Sequence, residues 1–341
     1  MKFKMNKELK YISVAGYGST GSSAVVNLLE ELTSCHVVGG EFRFIQDPDG
    51  LEDLCSNLTN SWGWVRSDAF VRRFIKYTDI IGRDPHYFQF GERLDILFNN
   101  KFFKYRDEFL SEIIDTTWNG YWFYHDYHER NFFEVFIERI KRYSARFGVQ
   151  KHRIRSLTKK TDMYFVRHDI DSYFFAKAFI KKLFSELIGD LNKSIVLDQL
   201  ILPYNRNKFE LLFENLKQIV VDRDPRDVYL DAKNYNAYPI TNDINTFISF
   251  YESVHLKEKL DLDDNVLTVQ FEDLIYKYDE EKDKIFNFLG FENSQHINFK
   301  EKFNPDVSIK NTQTWLKPEN SIYLNDIRMI ESKLKEWCYD F

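Results

Sequence analysis

Short, unbroken apolar and β-branched runs mark both ends of this chain, while its middle carries long helical stretches crowded with Phe, Tyr and Trp. Residues 11–15, Tyr-Ile-Ser-Val-Ala, read as a strand, and 22–32 then place apolar side chains at helical spacing. A second short strand at 36–38 ends in Gly39-Gly40-Glu41, so strand, glycine loop, helix and strand follow in the order of a β-α-β unit. Continuous runs at 194–197, 218–222 and 266–270 have the character of strands buried on both faces, the habit of parallel sheets. Residues 1–50 and 190–341 are therefore read as an α/β core, 51–189 as a helical, aromatic-rich insertion or cap, and 320–337 as a terminal amphipathic helix. No internal repeat or low-complexity linker breaks this order.

A length of 341 residues suits one large α/β domain with an inserted lobe, or about two domains, and 43% hydrophobic residues supply ample core. The net charge of −6 argues against a general nucleic-acid binder, so any anionic ligand must meet local positive charge. No apolar run approaches the roughly 18 residues needed to cross a bilayer. Cys35, Cys55 and Cys338 are odd in number and scattered, which supports neither a disulfide framework nor a zinc ribbon. A reducing cytoplasm is the expected compartment.

Two segments about two hundred residues apart seek phosphate. The first, Gly16-Tyr-Gly18-Ser19-Thr20-Gly21-Ser22-Ser23, follows a strand and opens a helix. With Glu41 twenty residues beyond Gly21, it matches a dinucleotide fingerprint for NAD-type cofactors. It also reads as a P-loop in which Ser22 replaces the usual lysine. A third reading places the Ser22 and Ser23 hydroxyls at a first helical turn, where unpaired N–H groups and the positive dipole end hold an anion. A fourth is an ordinary turn with a serine cap. The second segment, Arg223-Asp-Pro225-Arg226-Asp-Val228, lies after a strand. Arg223 can grip a phosphate with two parallel charged hydrogen bonds, and Pro225 fixes the start of the helix beside it.

That second segment resembles the 3′-phosphate motif of the sulfotransferase superfamily, whose donor is 3′-phosphoadenosine-5′-phosphosulfate. Two more segments fit the resemblance: Val269-Gln-Phe-Glu272-Asp-Leu with Phe288-Leu-Gly-Phe291, which speaks for the fold, and Ser308 to Trp315, similar to the loop that closes over the donor. The resemblance implies a P-loop-NTPase-like three-layer α/β fold with a helical cap. It further implies that Gly18, Ser19, Thr20, Gly21, Ser22 and Ser23 cradle the 5′-phosphosulfate, that Arg223 holds the 3′-phosphate, and that Lys310 meets an anionic group. Glu41-Phe-Arg43 resembles the Glu-x-Arg segment of tyrosylprotein sulfotransferases, implying Glu41 as base with Arg43 in support. The acceptor is expected to be a hydroxylated molecule, a carbohydrate or glycoconjugate by similarity to soluble bacterial-type enzymes. Trp62, Trp64 and Trp118 could offer flat faces to sugar rings. No metal is required by such chemistry.

Two positions depart from the family pattern. Ser19 stands where Lys or Arg is usual and its hydroxyl, though placed at the catalytic position, can donate only a hydrogen bond, so transition-state charge must be met from elsewhere, with Arg43 and Lys310 as candidates. Asp231 stands eight residues after Arg223 where a serine is common, and an ionised carboxylate there repels phosphate. Either Asp231 turns away and Lys233 substitutes, or the helix register differs, or another donor is used. His125 and His128, close to Glu129, rival Glu41 as base. The competing functions are a magnesium-dependent kinase with Lys310 in place of the loop lysine, and a catalytically silent nucleotide-binding module. An NAD enzyme leaves Arg223 to Val228 unexplained.

Overall fold

The computed structural model describes residues 9–83, 92–120, 122, 132–146, 160–188, 192–235, 240–258 and 264–341. Five parallel strands form the centre: β1 (Tyr11–Gly16), β2 (Cys35–Glu41), β5 (Ser194–Asp198), β6 (Leu216–Asp222) and β7 (Val266–Gln270), in the spatial order β2-β5-β1-β6-β7. The strands predicted at 11–15, 194–197, 218–222 and 266–270 are all present, and the one at 36–38 extends across Cys35–Glu41. A register shift between Val38 and Glu41, where Gly40 adopts φ 76°, turns the end of β2.

Alternation along these strands sends their side chains into two separate cores. On one face, Tyr11, Val38, Ile195, Leu197 and Leu216 pack with α2 (Leu51–Asn60), α3 (Trp64–Arg83), α4 (Phe102–Ile113) and α6 (Ser172–Ser185). On the other, Ile12, Val14, Val196, Ile219, Val221 and Val269 pack with α1 (Ser22–Glu30), α9 (Phe271–Tyr276) and α10 (Tyr278–Leu289). Helix, sheet and helix make three layers, a P-loop-like α/β arrangement. A third cluster joins α7 (Pro225–Tyr235), α8 (Ile244–Glu258) and α11 (Leu324–Lys333) through Tyr229, Phe247, Tyr251, Ile327 and Ile330.

Much of the aromatic wealth of the middle is core. Phe109 stacks on Phe179 with centroids 5.2 Å apart, and Phe44, Phe74 and Phe102 meet the same cluster. Two features depart from the expected pattern. An antiparallel pair, β3 (Thr116–Gly120) with β4 (Thr161–Phe165), sits within the helical insertion. The expected helix at 320–337 is divided, with 3₁₀ turns at Pro318–Tyr323 and Lys335–Trp337 on either side of α11. Helix α5 (Phe132–Arg146) lies on the chain between β3 and β4. Among the described residues, no helix is long and apolar enough to cross a membrane.

Candidate functional site

All five parallel strands end on one edge of the sheet, where crevices of such folds form. Read across that edge, the chain presents Glu41 on β2, Asp198 on β5, the glycine loop after β1, and Asp222 with Arg223 after β6.

The loop closes tightly because its glycines allow it. A Cβ on Gly16 would lie 1.8 Å from Thr20 Oγ1 and 2.7 Å from the Val221 carbonyl, so Thr20 is buried inside the turn against β6. Gly18, Ser19 and Gly21 all take left-handed φ values, and a Cβ on Gly21 would meet the Phe271 ring at 2.6 Å. Tyr17 stacks on His255 at 3.9 Å, fixing the loop against α8. Helix α1 then starts at Ser22 with no side-chain cap and no acidic residue in its first turn. Its first N–H groups and positive dipole end are left for an anion. Ser19, Gly21 and Ser23 face a cavity of about 1080 Å³.

Arg223 lines the same cavity. Its Nη1 donates to the Ser19 carbonyl at 2.7 Å, and its Nη2 donates to the Asn311 carbonyl at 2.7 Å. The Phe271 ring lies 5.4 Å from the guanidinium carbon. The rest of the arginine segment is structural. Asp224, fully buried, receives Arg226 Nε and Nη2 and the Tyr339 amide, while Arg226 lies 3.9 Å over the Trp315 ring. Asp227, also buried, accepts the amides of Gln313 and Thr314 and the Thr314 hydroxyl, which clamps the Lys310 loop to α7. Burial pushes the Asp227 carboxyl up to about 6 and that of Glu272, which receives the Asp224 amide, up to about 7.

The opposite wall comes from residues 300–323 and is held by one buried carboxylate. Glu31, at the end of α1, accepts from His296 Nε2 at 2.5 Å and from the amides of Lys300, Lys302 and Phe303. Lys300, Lys302, Lys310 and Lys317 line this wall. Lys302 pairs with Glu30 at 2.9 Å, whereas no described residue pairs with the exposed Lys310 ammonium. Local positive charge is thus gathered here in an acidic chain.

Of the other residues singled out in the sequence, Glu41, Arg43, Lys233 and Ser22 do not line this cavity. Glu41 and Arg43 line a neighbouring pocket of about 30 Å³ with Phe44, Tyr77 and Leu94. Arg43 is held by Asp47 at 2.7 Å and by Glu41 at 3.5 Å. Lys233 does not replace Asp231 beside the cavity: it turns to Asp326 at 3.9 Å and to the rings of Tyr229 and Tyr323. Asp231 does not turn away but pairs with Arg223 at 2.5 Å. Ser22 points away from the cavity, donating to Asp198 Oδ1 at 3.2 Å and accepting from Gln199 Nε2 at 3.1 Å. Trp62 donates its indole N–H to the Val166 carbonyl at 2.8 Å, and Trp62, Trp64 and Trp118 are all exposed. His125 and His128 lie outside the described residues.

Asp198 was not anticipated. It ends β5, between the glycine loop and Glu41, and burial together with the Glu41 charge pushes its carboxyl up to about 6. The signal was available: a carboxylate directly after a buried parallel strand.

Comparison with known proteins finds no matching family model and no matching curated protein. Among solved structures, the sulfotransferase domain from the Synechococcus PCC 7002 olefin synthase aligns with 100% of this chain and 98% of its own length, at a TM-score of 0.42 and 13% identity.

Proposed function

We propose that this protein is a sulfotransferase that moves a sulfuryl group from 3′-phosphoadenosine-5′-phosphosulfate to a hydroxyl of a carbohydrate or glycoconjugate acceptor. One observation carries the reading. The uncapped N-terminus of α1 and Arg223, 204 residues beyond the Ser19 it bonds, open on one cavity large enough for a nucleotide.

In this reading the α1 amides with Gly21 and Ser23 hold the phosphosulfate, and Arg223 receives the 3′-phosphate. The acceptor oxygen attacks sulfur, the bond from sulfur to the nucleotide phosphate breaks, and the departing group is the 3′,5′-bisphosphate. Ser19 brings no charge to that departure, so the ammonium of Lys310 supplies it from the facing wall. The acceptor proton goes to a carboxylate on the β2–β5 side of the loop. Asp198, which ends β5 between the glycine loop and Glu41 and whose carboxyl burial raises to about 6, stands beside Glu41 as a candidate for that task.

Calorimetric titration with 3′,5′-adenosine bisphosphate, adenosine 5′-phosphate, ATP and NAD tests the donor. The bisphosphate should bind most tightly, and Arg223→Ala should lose its preference over the monophosphate. Tighter binding of ATP or NAD would overturn the assignment. A catalytically silent nucleotide-binding module is the second reading, favoured by the uncharged Ser19. It predicts the same binding profile with no transfer of labelled sulfuryl to any member of a glycan array.

A further inference from the structure

The guanidinium of Arg223 meets the cavity with an anion already in place. Besides the carbonyl bonds of Nη1 to Ser19 and Nη2 to Asn311, Nη1 donates to Asp231 Oδ2 at 2.5 Å, while Nε is buried with no hydrogen-bond partner among the described residues. The two side chains differ in freedom: Arg223 is 6% exposed and Asp231 25%, and both line the cavity. We propose that Asp231 is a resident counter-anion that occupies the place of a ligand's phosphate on Arg223, so that binding at this end is an exchange of carboxylate for phosphate. This rests on the donor site argued above.

A buried guanidinium without an anion is strongly disfavoured, and Asp231 supplies that anion while the cavity is empty. The Ser19 and Asn311 carbonyls hold the guanidinium plane without help from Asp231, so the cation stays aimed when the carboxylate swings out. A phosphate has more acceptor oxygens than a carboxylate and carries more charge to the guanidinium. A ribose hydroxyl has no charge with which to displace Asp231. The pair therefore acts as a filter that admits a phosphorylated ribose and holds its affinity down.

Titration of wild type, Asp231→Asn and Asp231→Ser with 3′,5′-adenosine bisphosphate and adenosine 5′-phosphate decides the matter. Both variants should bind the bisphosphate at least about tenfold more tightly while the monophosphate changes less than about twofold, a factor of ten being about 1.4 kcal/mol. An unchanged ratio in variants with wild-type circular dichroism overturns the exchange and leaves the donor reading standing. A weaker bisphosphate affinity in both also overturns it, because Asp231 would then be positioning Arg223. If wild type and both variants bind neither nucleotide, the donor reading falls and this proposal with it.

Discussion

Asp198 shows how one carboxylate can be read in two ways that a single substitution separates. Its carboxyl lies at about 6 in the folded protein against an ordinary 3.8, so the folded state binds this proton more tightly than the unfolded chain. The stabilising contribution is complete below about 3.8 and is lost as pH rises through about 6; the full difference corresponds to about 3 kcal/mol. Asp198→Asn should therefore flatten stability between those pH values, as followed by urea denaturation. If Asp198 is also the base, the variant should lose about a hundredfold or more in kcat with unchanged nucleotide affinity, and the acidic limb of the rate profile near 6 should vanish. Full activity in the variant would return the role of base to Glu41. Arg223 was legible in the sequence because its neighbours form a recognisable run after a strand. The partner of Asp231 and the burial of Asp198 were not, because both are set by which strands and helices meet.

At the level of elements, the cavity depends on two staples. Glu31 takes four donors from the loop that carries Lys300 and Lys302, so Glu31→Ala leaves His296 and three amides without their acceptor. A loss of about 3 kcal/mol in urea denaturation is expected, with weaker nucleotide binding in the fraction that stays folded. Gly21→Ala should cost about 1–2 kcal/mol by forcing a side chain into a left-handed conformation against the Phe271 ring, and should also weaken nucleotide binding by calorimetry. Strands buried on both faces were readable from their continuous apolar runs. The β3–β4 pair was not: Thr116 to Asn119 are exposed and polar enough to carry no alternation. The terminal segment kept its apolar spacing through three short helices, so periodicity alone could not find the breaks.

Across the whole molecule, the aromatic insertion and one face of the sheet share a core, since Tyr11, Ile195 and Leu197 pack in the same cluster as Phe74, Phe109 and Phe179. Phe179→Ala should destabilise by about 3–5 kcal/mol and lower the unfolding midpoint seen by far-ultraviolet dichroism and by tryptophan fluorescence together. Two separated transitions would show that insertion and sheet unfold independently. The overall charge gives no hint of the cationic wall, which gathers residues 300–317 opposite a helix from the start of the chain. Nucleotide affinity should fall as salt rises.

The sheet order has a consequence for how the polypeptide is made. The first two strands never touch, because β5 lies between them. A nascent chain emerging from the ribosome must hold Tyr11–Gly16 and Cys35–Glu41 unzipped until Ser194–Asp198 arrives, so a fragment ending before 194 should gain little sheet signal, and one extended through 222 a great deal.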